Sequence, residues 1–208
     1  MNALLLSDPM VLAVLEGRKT VTRRLVTVPW AGRKRALPYD PIWFSERGVL
    51  TTVQDGKYVS AESVLGPRYG RPGERTWVRE AWACSPEILY QEDRVNCSYR
   101  ATHLPSDIVP GGRWRSALRM PRWASRIGIT IVSTRIERLH AITDDEIARE
   151  GVTAQSAAAL TGRPVYEFLG SPPLLRWAEG WDALHDDAPW NTNPWVWRIE
   201  FRSHLEKA

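Results

Sequence analysis

Residues able to hold or attack a polar ligand cluster near the N-terminus. Gly17, Arg18, Lys19, Thr20, Val21, Thr22, Arg23 and Arg24 follow one another at the junction between a first helix and the next strand. Strand side chains alternate between faces, so Thr20, Thr22 and Arg24 share one side. Val21, Arg23 and Leu25 share the other, and Lys19 stands at the strand's mouth. Two hydroxyls and a guanidinium beside a lysine make a row on which something polar can dock. Spacing alone fits a solvated edge strand equally well.

Other residue types extend the same chemistry. Arg24, Arg79 and Arg126 carry planar forks suited to a phosphate or to the carbonyl edge of a base. Each can equally serve a structural ion pair. Glu80 follows Arg79 on the opposite face of a regular strand, so the two are not a local pair, and it joins the ligand-binding candidates. Trp77, Trp123 and Trp195 are the stacking candidates. Trp177 and Trp181 sit at helical spacing and read as core. Asn193 precedes Pro194; it either sets a turn or offers its amide to a base edge. The basic run Arg33 to Arg35 reads as a solvated turn or a contact to a nucleic-acid backbone.

Several elements must position these groups. Ala3 to Leu6 reads as a short buried strand. A helix follows, capped by Asp8 or Ser7 with Pro9 in its first turn and stopped at Gly17. Lys19 to Val26 is the strand bearing the row. Residues 27–73, rich in Pro and Gly, read as a rim insertion with a small hairpin around Gln54 to Gly56. Core strands are predicted at Arg75 to Trp82, Val95 to Ala101, Arg113 to Met120, Ile127 to Leu139 and Asn193 to Phe201. Ile127 to Leu139 is β-branched and long enough to bend round a barrel. Pro121 to Arg126 reads as one helical turn. Thr143 and Glu146 form a capping box for a short helix ending at Gly151. Residues 153–165 are weakly patterned. A helix over Pro172 to His185 turns Leu175, Trp177, Trp181 and Leu184 inward. This order predicts a single α+β domain: a small, mostly antiparallel β-barrel surrounded by short helices.

Composition narrows the class. The chain has 208 residues, 43% hydrophobic and 25% charged, ordinary for a globular protein with a sizeable core. Twenty-eight Lys and Arg against 24 Asp and Glu give +4, mildly basic and compatible with an anionic partner. Eleven tryptophans are the unusual feature. Cys84 and Cys97 have no histidines at metal-ligand spacing, so they read as reduced thiols of a cytoplasmic protein, with one disulfide as the alternative. The four histidines are scattered, which argues against zinc. No signal-peptide pattern or membrane span is visible. Nothing in the pattern asks for a cofactor, a membrane or an obligate protein partner.

Strand, helix, Gly-x-Lys-x-x-Thr-x-Arg and strand in that order resemble the ASCH family of the PUA-like superfamily. Its signature Gly-x-Lys-x-x-Glu-x-Arg is matched by Gly17, Lys19 and Arg24, with Thr22 in place of the usual Glu. Small bacterial amidohydrolases that deacetylate N(4)-acetylcytidine are similar at this departure. The segments Tyr69 to Gly73, Trp77 to Trp82, Met120 to Arg126 and Asn193 to Trp197 resemble larger phage- and prophage-associated members. The resemblance implies a PUA-like barrel and a nucleoside or RNA as partner. It also implies a catalytic set of Lys19, Thr22 and Glu150, with Glu146 close to the third. The expected reaction removes an acyl group from the exocyclic amine of cytidine. The alternatives are a Lys19–Glu150 ion pair beside an ordinary threonine in a non-catalytic RNA or modified-base binding module, or a ribonuclease.

Overall fold

The computed structural model describes residues 3–30, 33–36, 43–44, 50–54, 57–60, 69–91 and 96–206. In chain order the strands are β1 (Leu4–Leu5), β2 (Val21–Leu25), β3 (Thr27–Trp30), β4 (Arg33–Ala36), β5 (Trp43–Phe44) and β6 (Leu50–Gln54). They continue as β7 (Lys57–Ser60), β8 (Arg75–Arg79), β9 (Trp82–Ala83), β10 (Ser98–Tyr99), β11 (Ile127–Arg138) and β12 (Trp195–Leu205). The α-helices are α1 (Asp8–Leu15), α2 (Pro86–Gln91), α3 (Asp144–Glu150), α4 (Ala154–Thr161) and α5 (Pro173–Asp182).

A five-stranded sheet in the order β1–β8–β11–β12–β2 curls into a half-barrel, giving an α+β fold. β1 and β8 are parallel, and the other neighbours in this sheet are antiparallel. β11 carries a register shift between Ile131 and Ser133, the kind of bulge that bends a long strand. Trp195, Trp197, Ile199 and Phe201 alternate inward and join Met10, Val11 and Val14 of α1 in the main core. On the other face Val196 packs with Leu139, Ile147, Trp177 and Trp181 under α3 and α5.

α3 is fixed at both ends. Its capping box pairs Thr143 with Glu146, and Gly151 ends it at φ 74°. A Cβ on Gly151 would come within 2.9 Å of the Ala13 Cβ and 3.1 Å of the Lys19 Cβ. A glycine is therefore required for this helix end to touch the chain entering β2.

The sequence expectations fail in several places. Residues 98–99 form only a two-residue strand, and Arg100–Thr102 turns into a 3₁₀ helix. The expected strand over Arg113 to Met120 reduces to one bridge, Trp82 to Arg115, because a 3₁₀ turn at Ala117–Arg119 follows at once. Cys84 and Cys97 are joined in a disulfide, so the reduced-thiol reading and the location drawn from it lose their basis. The weakly patterned stretch contains α4, capped by Thr153 and Ser156 and stopped at Gly162. In and beyond α5, Trp177 and Trp181 are buried, but Leu175 and Leu184 lie on the surface. Arg33 to Arg35 lie in β4, paired with β3, rather than in a turn. The hairpin of β6 and β7 is present, while its tip, like much of the 27–73 insertion, lies outside the described residues. Among the described residues no helix is long and apolar enough to cross a membrane.

Candidate functional site

β1 and β2 are the two edges of the curled sheet. Arg24 of β2 reaches across the seam between them and donates from Nη2 to the Leu5 carbonyl of β1 at 2.5 Å. A cleft of about 710 Å³ opens on this seam. It takes in Lys19, Thr22, Arg23, Arg24 and Glu150. Residues of both strand parities line it because an edge strand is open to a cavity from either face.

Lys19 is 3% exposed and Glu150 4%. Lys19 Nζ donates to Glu150 Oε2 at 2.6 Å and to the Glu150 carbonyl at 3.0 Å. Local backbone bonds hold this register: Lys19 N–H donates to the Ala13 carbonyl and Thr20 N–H to that of Arg149, both at 2.9 Å. Burial lowers the Lys19 pKa from its ordinary value; the Glu150 carboxylate opposes the shift, and Arg24 and Arg23 add to it. Thr22 is 3% exposed. No hydrogen bond to its hydroxyl is found among the described residues.

Arg23 is the member that alternation alone did not bring to the site. The face it shares with Val21 and Leu25 reads as bland in the sequence, yet Arg23 is buried and bonds three carboxylates. Its Nη1 donates to Glu150 Oε1 at 3.2 Å, its Nη2 donates to Glu137 at 2.7 Å, and Glu146 is a closer partner. Arg198 lies directly opposite on β12 and Arg135 beyond it on β11. Arg198 binds Glu146 at 2.6 Å and Glu200 at 2.9 Å. The Glu200 carboxyl is held down to about 2, chiefly by its bond from Arg198. Glu146 thus belongs to this ion-pair layer, and among the described residues Glu150 alone joins the layer to Lys19.

The other wall of the cleft is aromatic. Trp177 and Trp181 stack at 5.6 Å, and the His185 ring lies on Trp181 at 3.8 Å and 17°. Trp114 faces the cleft from the loop before β11 and meets His103 edge-on at 4.8 Å. Burial lowers the His185 pKa, which keeps its ring neutral near pH 7. The helical spacing of Trp177 and Trp181 was visible in the sequence; their reading as core hid the edge that faces the cleft.

The remaining sequence-predicted residues lie elsewhere. Thr20 accepts from Arg149 Nε at 3.2 Å. Arg126 grips Glu80 with both arms at 2.9 and 2.8 Å and covers the Tyr99 ring. Arg79 lies over Trp77 at 4.9 Å. Trp123 meets Trp82 edge-on, and Trp195 sits in the core beneath Arg138. Asn193 adopts φ 46° and accepts from the His140 backbone N–H at 2.8 Å, a turn-setting role. None of these eight lines the cleft. Among the described residues no group of three or more His, Cys, Asp and Glu is placed to hold a metal ion. Comparison with known proteins found no family model, no curated protein and no solved structure that matches the chain.

Proposed function

We propose that the chain is an ASCH-type, PUA-like protein that binds a pyrimidine nucleoside, free or in RNA, in the seam cleft. There it removes an acyl group from the exocyclic amine of cytidine. The observation that carries this reading is the buried Lys19–Glu150 pair opening onto the same cleft as Thr22, whose hydroxyl has no hydrogen bond among the described residues. In a desolvated pair, passing one proton from the Lys19 ammonium to the Glu150 carboxylate creates a neutral amine and a carboxylic acid together. The amine then takes the Thr22 proton as its Oγ forms a bond to the acyl carbon. When the carbon–nitrogen bond breaks, Glu150 protonates the departing cytosine amine. Water hydrolyses the threonine ester, releases the carboxylic acid and restores the hydroxyl. Arg23 acts as a positioning residue, holding the second oxygen of Glu150. No step requires a cofactor.

The competing reading is a non-catalytic module for RNA or a modified base, favoured by the aromatic wall of Trp114 and His185. A purified-protein assay on N(4)-acetylcytidine separates the two. Turnover by the wild type, reduced about 10²- to 10⁴-fold in Lys19→Ala and Thr22→Ala, supports hydrolysis. Absence of turnover by the wild type together with tight RNA binding sinks it.

A further inference from the structure

The charges of the cleft do not balance locally. Its lining includes Lys19, Arg23, Arg24, Arg100 and Arg115 against Asp8 and Glu150. Asp8 is taken by Arg100 at 2.6 Å, and Glu150 by Lys19 and Arg23. That leaves Arg24 and Arg115, for which no carboxylate partner occurs among the described residues. Arg24 spends one donor on the Leu5 carbonyl. Arg115 is anchored by a backbone bridge to Trp82, with its guanidinium 5.7 Å from that ring's centroid. A third group points the same way: Ser7 lines the cleft, and its hydroxyl oxygen is buried with no hydrogen-bond partner. Buried hydroxyls without partners are uncommon, and an anion satisfies one at once.

Resting on the nucleoside reading above, we propose that the ligand enters as a nucleotide. Its phosphate is held by Arg24 and Arg115 with the Ser7 hydroxyl donating to a phosphate oxygen. Planar guanidinium forks match phosphate oxygens, and both charges are half-buried, where salt screens them less than at the surface. The spacing suits this assignment. Arg24 stands two residues along β2 from Thr22, about 7 Å of strand. That separation lets one molecule present its base to Thr22 and its phosphate to the guanidiniums.

The test is calorimetric titration of the wild type, Arg115→Gln and Arg115→Lys with cytidine, cytidine 5′-monophosphate and a short oligocytidylate. Circular dichroism checks that each variant is folded. The expected result is binding of the monophosphate at least about tenfold tighter than cytidine. Arg115→Gln abolishes that preference and leaves cytidine affinity unchanged, while Arg115→Lys, which keeps the charge but not the fork, retains part of it. The salt slope of monophosphate binding falls by about one in Arg115→Gln. An oligocytidylate that binds tighter still, with the same dependence on Arg115, assigns the phosphate to RNA; weaker binding assigns it to a free nucleotide. Equal affinity for cytidine and its monophosphate, a preference that survives Arg115→Gln, or no binding of either ligand overturns the proposal. Its failure is separable from that of the hydrolytic reading. Turnover of N(4)-acetylcytidine without a phosphate preference sinks only the phosphate site. A phosphate preference without turnover sinks only the hydrolysis.

Discussion

Two buried glutamates of this fold each hold a cation, and the ways they do so differ. Glu80 is 1% exposed and meets Arg126 fork to fork, one bond per oxygen. Glu150 is 4% exposed and divides its oxygens between Lys19 and Arg23. An arginine keeps its proton at any pH that a folded protein survives, so no proton passes between the members of the first pair. A lysine gives up its proton when burial makes the charge costly, so the second pair can rearrange. The Glu80–Arg126 pair also lies away from the cleft, whereas Lys19 and Glu150 open onto it. A buried ion pair is thus no guide to function by itself. What separates these two is whether the proton can move and whether a ligand can reach it.

That contrast can be broken from either side. The largest expected effect is at the immobile pair: Glu80→Ala strands Arg126 and costs about 3–5 kcal/mol, read by urea unfolding monitored through tryptophan fluorescence. Residual folded protein retains its activity. Glu150→Gln should do the reverse. Its turnover falls about 10²- to 10⁴-fold, and its stability loss is smaller than at Glu80. Arg23 keeps Glu137 and Glu146, and Lys19 can shed its proton. Gly151→Ala tests the helix end that sets the Lys19–Glu150 register. The left-handed backbone and the 2.9 Å approach to Ala13 together cost about 1–3 kcal/mol, and turnover falls with them. If Gly151→Ala loses stability but keeps full turnover, that register does not matter to the chemistry.

The pH dependence sharpens the same comparison at smaller scale. The Lys19 pKa is lowered from 10.5, and the proposed reaction uses the one proton that the Lys19–Glu150 pair carries. Turnover should therefore fall along an alkaline limb whose midpoint lies below 10.5. Lys19→Arg, whose guanidinium cannot give up its proton, should lack turnover at every pH. Behind the site, the Glu200 carboxyl is depressed to about 2 from 4.5. A depressed carboxyl binds protons more weakly in the folded state than in the unfolded. Its stabilisation is therefore present above about pH 4.5 and is lost as pH falls toward 2. Unfolding of wild type and Glu200→Gln should accordingly converge in acid.

Legibility followed the range of the interactions. The capping box at Thr143, the Gly17 and Gly151 stops and the inward row of β12 depend on neighbours a few residues away, and the sequence displays them. The cleft does not. It exists because β1 and β2 end up as facing edges of one curled sheet, with Leu5 and Arg24 brought together across the seam. No local pattern encodes that closure. Arg23 was hidden for a related reason: alternation gives its face but not what packs there, and α3 delivers Glu146 and Glu150 to it from more than a hundred residues away. The large aromatics misled in the opposite direction. Trp77, Trp123 and Trp195 offer stacking surface in composition, yet arginines and neighbouring rings cover them. Trp114, in a segment read as a strand, lines the cleft together with Trp177 and Trp181, which were read as core.

The central claim is that Thr22 carries the acyl group between the two halves of the reaction. The direct measurement is mass spectrometry of the tryptic peptide bearing Thr22 after rapid acid quenching of the protein with N(4)-acetylcytidine. A fraction of that peptide should be one acetyl group heavier in the wild type, and more of it in any variant slowed in ester hydrolysis. Thr22→Ala should show none. Full turnover in Thr22→Ala, or an acetyl group found only on Lys19, would contradict it.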